Sequence, residues 1–225
     1  MIPKEKIKAI VSAFENGANT RGYSTVTVNK DGPGKIQMIS FGIFQITEYG
    51  LLARLIFDYC QAQGQFSKQL HPYIPLIGKQ SLVLDETFKN LLKEAGSDPV
   101  MQSVQDSFFD NNYWNPAQLW YDNHDFSLNL SMLVIFDSWI NSGSIIWDIR
   151  NMFMTLTPDS GGIETDWIKN YVSARKLWME NKGGLVADDK NRMDTIQAII
   201  NNNDWDLIQP VKVLDNKGNT IIIIP

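Results

Sequence analysis

The chain has 225 residues, 44% hydrophobic and 11% aromatic, with a formal net charge of −5. That length suffices for one well-buried domain, here read as residues 1–225 in two lobes. The negative balance argues against a nucleic-acid partner and suits a cationic polymer. The lone Cys60 excludes a disulfide framework, and His71 and His124 lie far apart in no ligand-spaced motif, so neither a metal nor a cofactor is expected.

The opening Met1-Ile2-Pro3-Lys4-Glu5-Lys6 leads into an amphipathic segment and not an apolar run, so no signal peptide is expected. Ile7, Ile10, Val11 and Phe14 recur at helical spacing, and Asn16-Gly17 ends that helix. Residues 23–28 are rich in β-branched side chains and read as a strand. Turn chemistry follows in Asn29-Lys30-Asp31-Gly32-Pro33-Gly34, and residues 36–39 return as the second strand of a hairpin. Residues 51–63 read as a helix, with Cys60 in its core, and residues 70–78, with Pro72 and Pro75, as a loop. A short helix spans residues 85–94. Asp98-Pro99 is an N-cap with proline at the first helical position, opening a helix to about Tyr113. Pro116 starts the next, to about Asn123. Residues 128–150 read as one long apolar helix; it carries Asp137, Ser138, Asn141 and Ser142, which suits a core and not a membrane span. Helices over 164–181 and 194–201 and a hairpin over 211–224 complete a mainly α (α+β) chain.

Glu15 stands at the C-terminal end of the first helix, where the backbone presents partial negative charge, and it follows Phe14. Both features disfavour the carboxylate form, as a general acid that protonates a leaving oxygen requires. Taken alone, the position better suits a solvated glutamate at a helix end. Asp137 lies among Leu133, Val134, Phe136 and Ile140, and Arg175 on the stripe Trp167, Tyr171, Trp178. Charges on apolar faces need partners, so Asp137 and Arg175 are expected to pair, with Arg192 as a second cation.

Glu15, a hairpin, and then Ser40-Phe41-Gly42-Ile43-Phe44-Gln45 together resemble the lysozyme-like superfamily. Further segments resemble one branch of it, the chitosanases of glycoside hydrolase family 46. Arg21-Gly22-Tyr23-Ser24 is similar to that family's Arg-Gly-Tyr-Thr, and Asp98-Pro99-Val100-Met101-Gln102-Ser103-Val104-Gln105 to its Asp-x-x-Phe-x-x-Ala-Gln. Phe136-Asp137 resembles its Tyr-Asp, and Ser142-Gly143 its His-Gly. Glu164-Thr165 with Ala174-Arg175-Lys176 resembles its Glu-Thr and Ala-Arg-Lys. Asn191-Arg192-Met193-Asp194-Thr195 resembles its Ser-Arg-Val-Asp-Thr. The matches are collinear from about Phe14 to Gln209. The resemblance implies a lysozyme-like two-lobed fold with a small β-hairpin at the active-site cleft, and endo-hydrolysis of a β-1,4-linked amino-sugar polymer. It also places the Asp137, Arg175 and Arg192 network behind the catalytic carboxylates. Arg21, Tyr23, Ser24, Thr25, Ser40, Gln45 and Thr47 become substrate-binding or supporting residues.

The chain departs from that pattern at the second carboxylate. The family's base is an Asp just before its Gly-Arg-Gly-Tyr, where this chain has Asn19-Thr20. Asp31 is the replacement that the hairpin offers, although it also reads as an ordinary Asp-Gly turn. Glu48 is the alternative, and Ser24, Thr25 and Thr47 are candidates to hold the attacking water. The acidic residue by which the family reads substrate amines is replaced by Leu51. That change, with the missing signal peptide, suits a peptidoglycan-cleaving enzyme delivered by a phage or a secretion system, with a protein inhibitor or delivery partner. A catalytically inactive sugar-binding protein is a further reading. Asp188-Asp189 reads either as a solvated loop or as sugar-binding acids.

Overall fold

The helical period of Ile7, Ile10, Val11 and Phe14 is realised in α1 (Pro3–Asn16), where these side chains are at most 4% exposed. Lys6 is buried beside them. Its Nζ donates to the carbonyl oxygens of Leu207 and Gln209, at 2.6 Å each, and burial lowers its pKa against the opposing charge of Asp204. The computed structural model describes residues 3–16, 22–30, 33–182, 190–214 and 220–223. The chain divides into two compact units, Arg21–Asp110 and Met1–Thr20 with Asn111–Pro225.

In the unit Arg21–Asp110, β1 (Val26–Asn29), β2 (Met38–Phe41) and β3 (Ile46–Thr47) form an antiparallel sheet in that order. Val26 pairs with Phe41 and Ser40 with Thr47. The first strand begins later than residue 23, because Tyr23 and Ser24 lie in a turn closed by Thr25 N–H to the Gly22 carbonyl at 3.0 Å. The second begins at Met38, after a 3₁₀ turn at Pro33–Lys35. α2 (Leu52–Gln61) buries Leu52, Leu55, Ile56 and Tyr59 on one face. Cys60 is half-buried, packed on the same core. Residues 70–78 are less irregular than expected: α3 (Ser67–Leu70) runs into a 3₁₀ turn at His71–Tyr73.

α4 (Glu86–Gly96) is capped by Asp85, which accepts from the Phe88 N–H at 2.9 Å. Asp98 caps α5 (Pro99–Phe109) through the Val100 N–H at 2.9 Å, as its Asp-Pro start predicts. The other Asp98 oxygen takes the Tyr59 hydroxyl at 2.6 Å and the Gln65 N–H at 2.8 Å. Phe41, Leu52, Tyr59, Phe88 and Met101 form part of the core of this unit.

A π turn at Asp110–Trp114 precedes α6 (Asn115–Asn123). α7 (Asn129–Ser142) is buried without interruption from Leu130 to Ser138. The Glu164 carboxylate covers its start, accepting from Ser127 and Leu128 N–H at 3.0 and 2.9 Å. The expected helix over 128–150 is two helices. Gly143 adopts φ +77° and its N–H returns to the Trp139 carbonyl at 2.9 Å, a left-handed stop that ends α7. α8 (Trp147–Arg150) then begins anew. α9 (Glu164–Lys182) matches expectation, and α10 (Lys190–Asn201) starts earlier than residue 194. β4 (Val211–Leu214) and β5 (Thr220–Ile223) form the expected hairpin, whose turn lies outside the described residues. Among the described residues, no helix is long and apolar enough to cross a membrane.

Candidate active site

The charged chemistry of the unit Met1–Thr20 with Asn111–Pro225 converges from four helices. Glu15 is the penultimate residue of α1, Asp137 lies inside α7, Arg175 in α9 and Arg192 near the start of α10. Arg175 Nη1 donates to Asp137 Oδ2 at 2.6 Å, and Arg192 Nη1 to Asp137 Oδ1 at 2.9 Å. The second nitrogen of the Arg192 fork, Nη2, donates to Glu15 Oε1 at 2.9 Å. Arg175 Nη2 also reaches the Asp137 main-chain oxygen at 3.3 Å. Both oxygens of Asp137 are thus met by guanidinium groups, which is what an ion buried among apolar side chains requires. The expected pairing of Asp137 with Arg175, and the second cation, are both present.

Exposure separates the two acids. The Asp137 side chain is 0% exposed, that of Glu15 21%. Of these two carboxylates, Glu15 alone is open to solvent, and Arg192 links it to Asp137. Phe14 lies under the Arg192 guanidinium, 5.4 Å from ring centroid to Cζ, so the apolar neighbour read from the sequence also seats the cation. Below the network, the Tyr171 hydroxyl donates to Ser138 Oγ at 3.0 Å, and Ser138 Oγ donates to the Val134 carbonyl at 2.8 Å. These bonds fix α9 against α7 next to Asp137.

Sequence reasoning missed Tyr113, in the π turn. Burial raises its phenol pKa and the negative charge of Glu15 adds to the rise, so the ring lies within electrostatic reach of Glu15. The Tyr113-Trp114 pair gave no motif in the sequence; a π turn has no compositional signature, although such turns recur at functional sites.

In the unit Arg21–Asp110 the polar groups are neutral where they shape the turn. Gly42 takes φ +82° and Gln45 φ +49°. Gln45 N–H and Nε2 both donate to the Gly42 carbonyl, at 3.2 and 2.9 Å, and Thr27 Oγ1 donates to Gln45 Oε1 at 2.5 Å. The Gly-x-x-Gln motif is therefore a turn sealed by its own glutamine. Gln105, from α5, braces it from behind. Its Oε1 accepts from the Ile43 N–H at 3.2 Å and its Nε2 donates to the Tyr23 carbonyl at 3.0 Å. A Cβ on residue 42 would lie 2.3 Å from Gln105 Oε1, so glycine is needed there for space as well as for φ. Tyr23 donates its hydroxyl to both oxygens of Asp106, at 3.0 Å each. Thr27, Gln105 and Asp106 were not singled out as site residues; Gln105 was visible only as the end of a family-like segment.

Ser40 is buried in β2, and Thr47 is its cross-strand partner. Ser24 and Thr25 line an open cavity of about 420 Å³ together with Gly22, Tyr23, Gly96, Ser97 and Gln102. Glu48 is not available as a base. It is 1% exposed, and its two oxygens accept from the backbone N–H groups of Ile39 and Leu82, at 3.1 and 2.9 Å. It was the alternative to Asp31 as base, but a carboxylate that closes two backbone donors is structural. Asp31, Arg21, Asp188 and Asp189 lie outside the described residues.

The model of glycosyl hydrolase family 46 matches residues 9–211. The chitosanase of Bacillus subtilis (strain 168) is 24% identical over 240 residues, covering 97% of this chain and 84% of that protein. The native chitosanase of Bacillus subtilis MY002 has a TM-score of 0.84 at 21% identity, covering 98% of each chain. A mutant of the MY002 enzyme complexed with 6 GlcN has a TM-score of 0.85, with 21% identity and 98% of each chain covered. The family 46 chitosanase of Gynuella sunshinyii, in complex with chitotetraose, has a TM-score of 0.84 at 19% identity, covering 99% of this chain and 98% of that one. These neighbours share the mainly helical, lysozyme-like fold with its small sheet.

Proposed function

This chain belongs to glycosyl hydrolase family 46 and is a glycoside hydrolase, and we propose that it is an endo-acting hydrolase of β-1,4-linked glucosamine polymers of the chitosan type. The observation that carries the reading is the partly exposed Glu15, held by Arg192, which is held in turn by buried Asp137. The relatives with which the chain aligns along nearly its whole length are chitosanases, one of them complexed with 6 GlcN and another with chitotetraose. A net charge of −5 favours approach of a polycation.

Glu15 is the general acid. It gives its proton to the glycosidic oxygen as the bond from the anomeric carbon to that oxygen breaks. Arg192 fixes one Glu15 oxygen, so the carboxyl group meets the scissile bond in one orientation. After proton transfer the same guanidinium faces the newly formed carboxylate, a charge-assisted pairing that is stronger than with the neutral acid. Asp31 is the base of this scheme. It takes a proton from a water whose oxygen bonds to the anomeric carbon, which inverts the configuration. Its support is its place in the turn after Glu15, at a point where Asn19 and Thr20 supply no carboxylate. Tyr23, Ser24 and Thr25 contact the sugar chain, and Arg21 belongs to the same segment of sequence, whereas Ser40, Gln45 and Thr47 shape the turn.

One observation favours peptidoglycan as the polymer. Leu51 is 39% exposed where the resembled chitosanases carry an amine-reading acid. Incubation with fully deacetylated chitosan and, separately, with purified peptidoglycan decides between the two. Shortened glucosamine oligomers from the first support the proposal, and soluble muropeptides from the second alone overturn it.

A further inference from the structure

Exposed apolar side chains are ordinary when scattered singly, but one segment of this chain gathers five of them. Trp147 is 75% exposed, Met152 41%, Met154 91%, Leu156 53% and Ile163 64%. They run from the first residue of α8 to the residue before α9, within the unit Met1–Thr20 with Asn111–Pro225. From Met152 to Thr157 the side chains alternate as on an extended chain. Met152, Met154 and Leu156 are exposed, Phe153 and Thr155 are partly buried, and Thr157 is buried. Phe153 turns inward onto Trp167 and Tyr171, at ring-centroid distances of 5.6 and 6.3 Å. The backbone is tethered from beneath. Arg150 Nη1 and Nη2 donate to the carbonyl oxygens of Phe153 and Thr155, at 3.0 Å each, and Asn170 Nδ2 donates to Thr155 Oγ1 at 2.6 Å. The Gly162 N–H returns to the Thr157 carbonyl at 3.0 Å, and Gly162 lies too close to the Leu156 carbonyl to admit a Cβ. The chain thus folds back and brings the backbone of Ile163 near that of Leu156.

At those exposures the five side chains show an apolar area on the order of 600 Å², the upper limit of what an ordinary monomer leaves bare. A stable interface takes about 800 Å² from each partner, and in homodimers about 65% of it is apolar, or roughly 500 Å². The strip alone meets that requirement. Its composition suits a protein face, with a tryptophan as anchor and two thioethers that adapt to the opposing side chains. A sugar chain would find one ring to stack on, and no donor on the other four side chains. Charges flank the strip rather than enter it. Asp148, Asp159 and Asp166 are exposed, and Lys169 reaches Asp166 at 3.6 Å.

We propose that the strip from Trp147 to Ile163 is an interface between two copies of this chain, packed face to face about a twofold axis. Apolar burial drives the association and the excess of carboxylates at the rim opposes it, so the dimer tightens as salt screens them. The proposal does not depend on the reading of the chain as a hydrolase. It is tested by sedimentation velocity of the full-length protein over micromolar concentrations, at low and at high salt. A dimer fraction that rises with concentration, and rises further with salt, is expected. Met154 is too exposed to support the fold, so Met154→Asp leaves the fold intact. It buries an unpaired carboxylate in the interface and should raise the dissociation constant by roughly tenfold or more, whereas Met154→Leu should keep it within about threefold. Leu84→Asp alters a side chain of similar exposure, 90%, in the unit Arg21–Asp110, and should leave the dimer unchanged. A monomer at every concentration would leave the strip to a different partner and overturns the proposal. So does a dimer that is indifferent to Met154→Asp, that is weakened as much by Leu84→Asp, or that loosens as salt rises.

Discussion

Around Glu15 the geometry is set by two carboxylates and two guanidinium groups; around Gly42 it is set by neutral amides and one hydroxyl. In the first region Asp137, Arg175 and Arg192 are at most 4% exposed, so each ion depends on the others. In the second, the Gly42 carbonyl, Gln45 and Thr27 satisfy one another, and Gln105 meets the Ile43 N–H and the Tyr23 carbonyl, with no net charge. The contrast teaches where rigidity is obtained at risk and where it is obtained safely. Losing one member of a buried ionic network strands a charge, whereas losing one member of a neutral turn strands at most a dipole.

The largest effect expected is on chemistry. Glu15→Gln keeps the shape of the side chain but removes the acid, and activity on the polymer should fall by ~10²–10⁴-fold with folding unchanged. Reducing-end release measures it, and activity within threefold of wild type contradicts the assignment. Arg175→Ala leaves the buried Asp137 Oδ2 without its cation, with Arg192 alone on the other oxygen, and should cost ~3–5 kcal/mol of stability. An unchanged midpoint in chemical denaturation would show that the charged region is no more interdependent than the neutral one.

Gly42→Ala tests the neutral region. The φ of +82° and the 2.3 Å approach to Gln105 Oε1 both oppose a Cβ, so a loss of ~1–3 kcal/mol is expected. Combining it with Gln105→Ala removes the clash, and the pair should then be less harmful than the sum of its parts. Strict additivity would place the whole cost in the backbone. Arg192→Lys keeps the charge but loses the fork that spans Glu15 and Asp137. Turnover should drop by about tenfold with little change in KM, the pattern of lost orientation of the acid. A pure KM effect would make Arg192 a binding residue instead.

The smallest effect is a pH dependence. Burial pushes the Asp98 carboxyl up, but the hydrogen bonds from Tyr59, Val100 and Gln65 outweigh it, so its pKa is lowered from 3.8. A carboxyl with a depressed folded pKa stabilises the fold above its unfolded pKa and loses that contribution as pH falls through the folded value. The acid limb of stability below about pH 4 should therefore flatten in Asp98→Asn. An acid limb of unaltered slope would mean that Asp98 titrates alike in both states.

The sequence was most legible where one local rule dominates. Helical spacing identified α1, the Asp-Pro start identified α5, and the apolar surroundings of Asp137 and Arg175 demanded their pairing. It failed where the deciding atom is distant in the chain. The split of α7 from α8 is the local exception: it falls in the polar Asn141-Ser142-Gly143-Ser144, where Gly143 turns left-handed, and the apolar residues on either side hid it. Glu48 stood as the alternative base because the amides of Ile39 and Leu82 that consume it are brought by the fold. Tyr113 and Gln105 are set by neighbours far away in sequence: the charge of Glu15 reaches Tyr113, and Tyr23 and Ile43 bond to Gln105. Asp31 was legible only as a turn residue, and its role is a matter for mutation.

The central claim is that Glu15 drives hydrolysis of a glucosamine polymer. Fully deacetylated chitosan incubated in heavy-oxygen water, with the products weighed by mass spectrometry, tests it most directly. Wild-type protein should release glucosamine oligomers that each carry one heavy oxygen at the new reducing end, and Glu15→Gln should release almost none. Intact chitosan, products ending in an anhydro sugar, or equal release by Glu15→Gln would contradict the account.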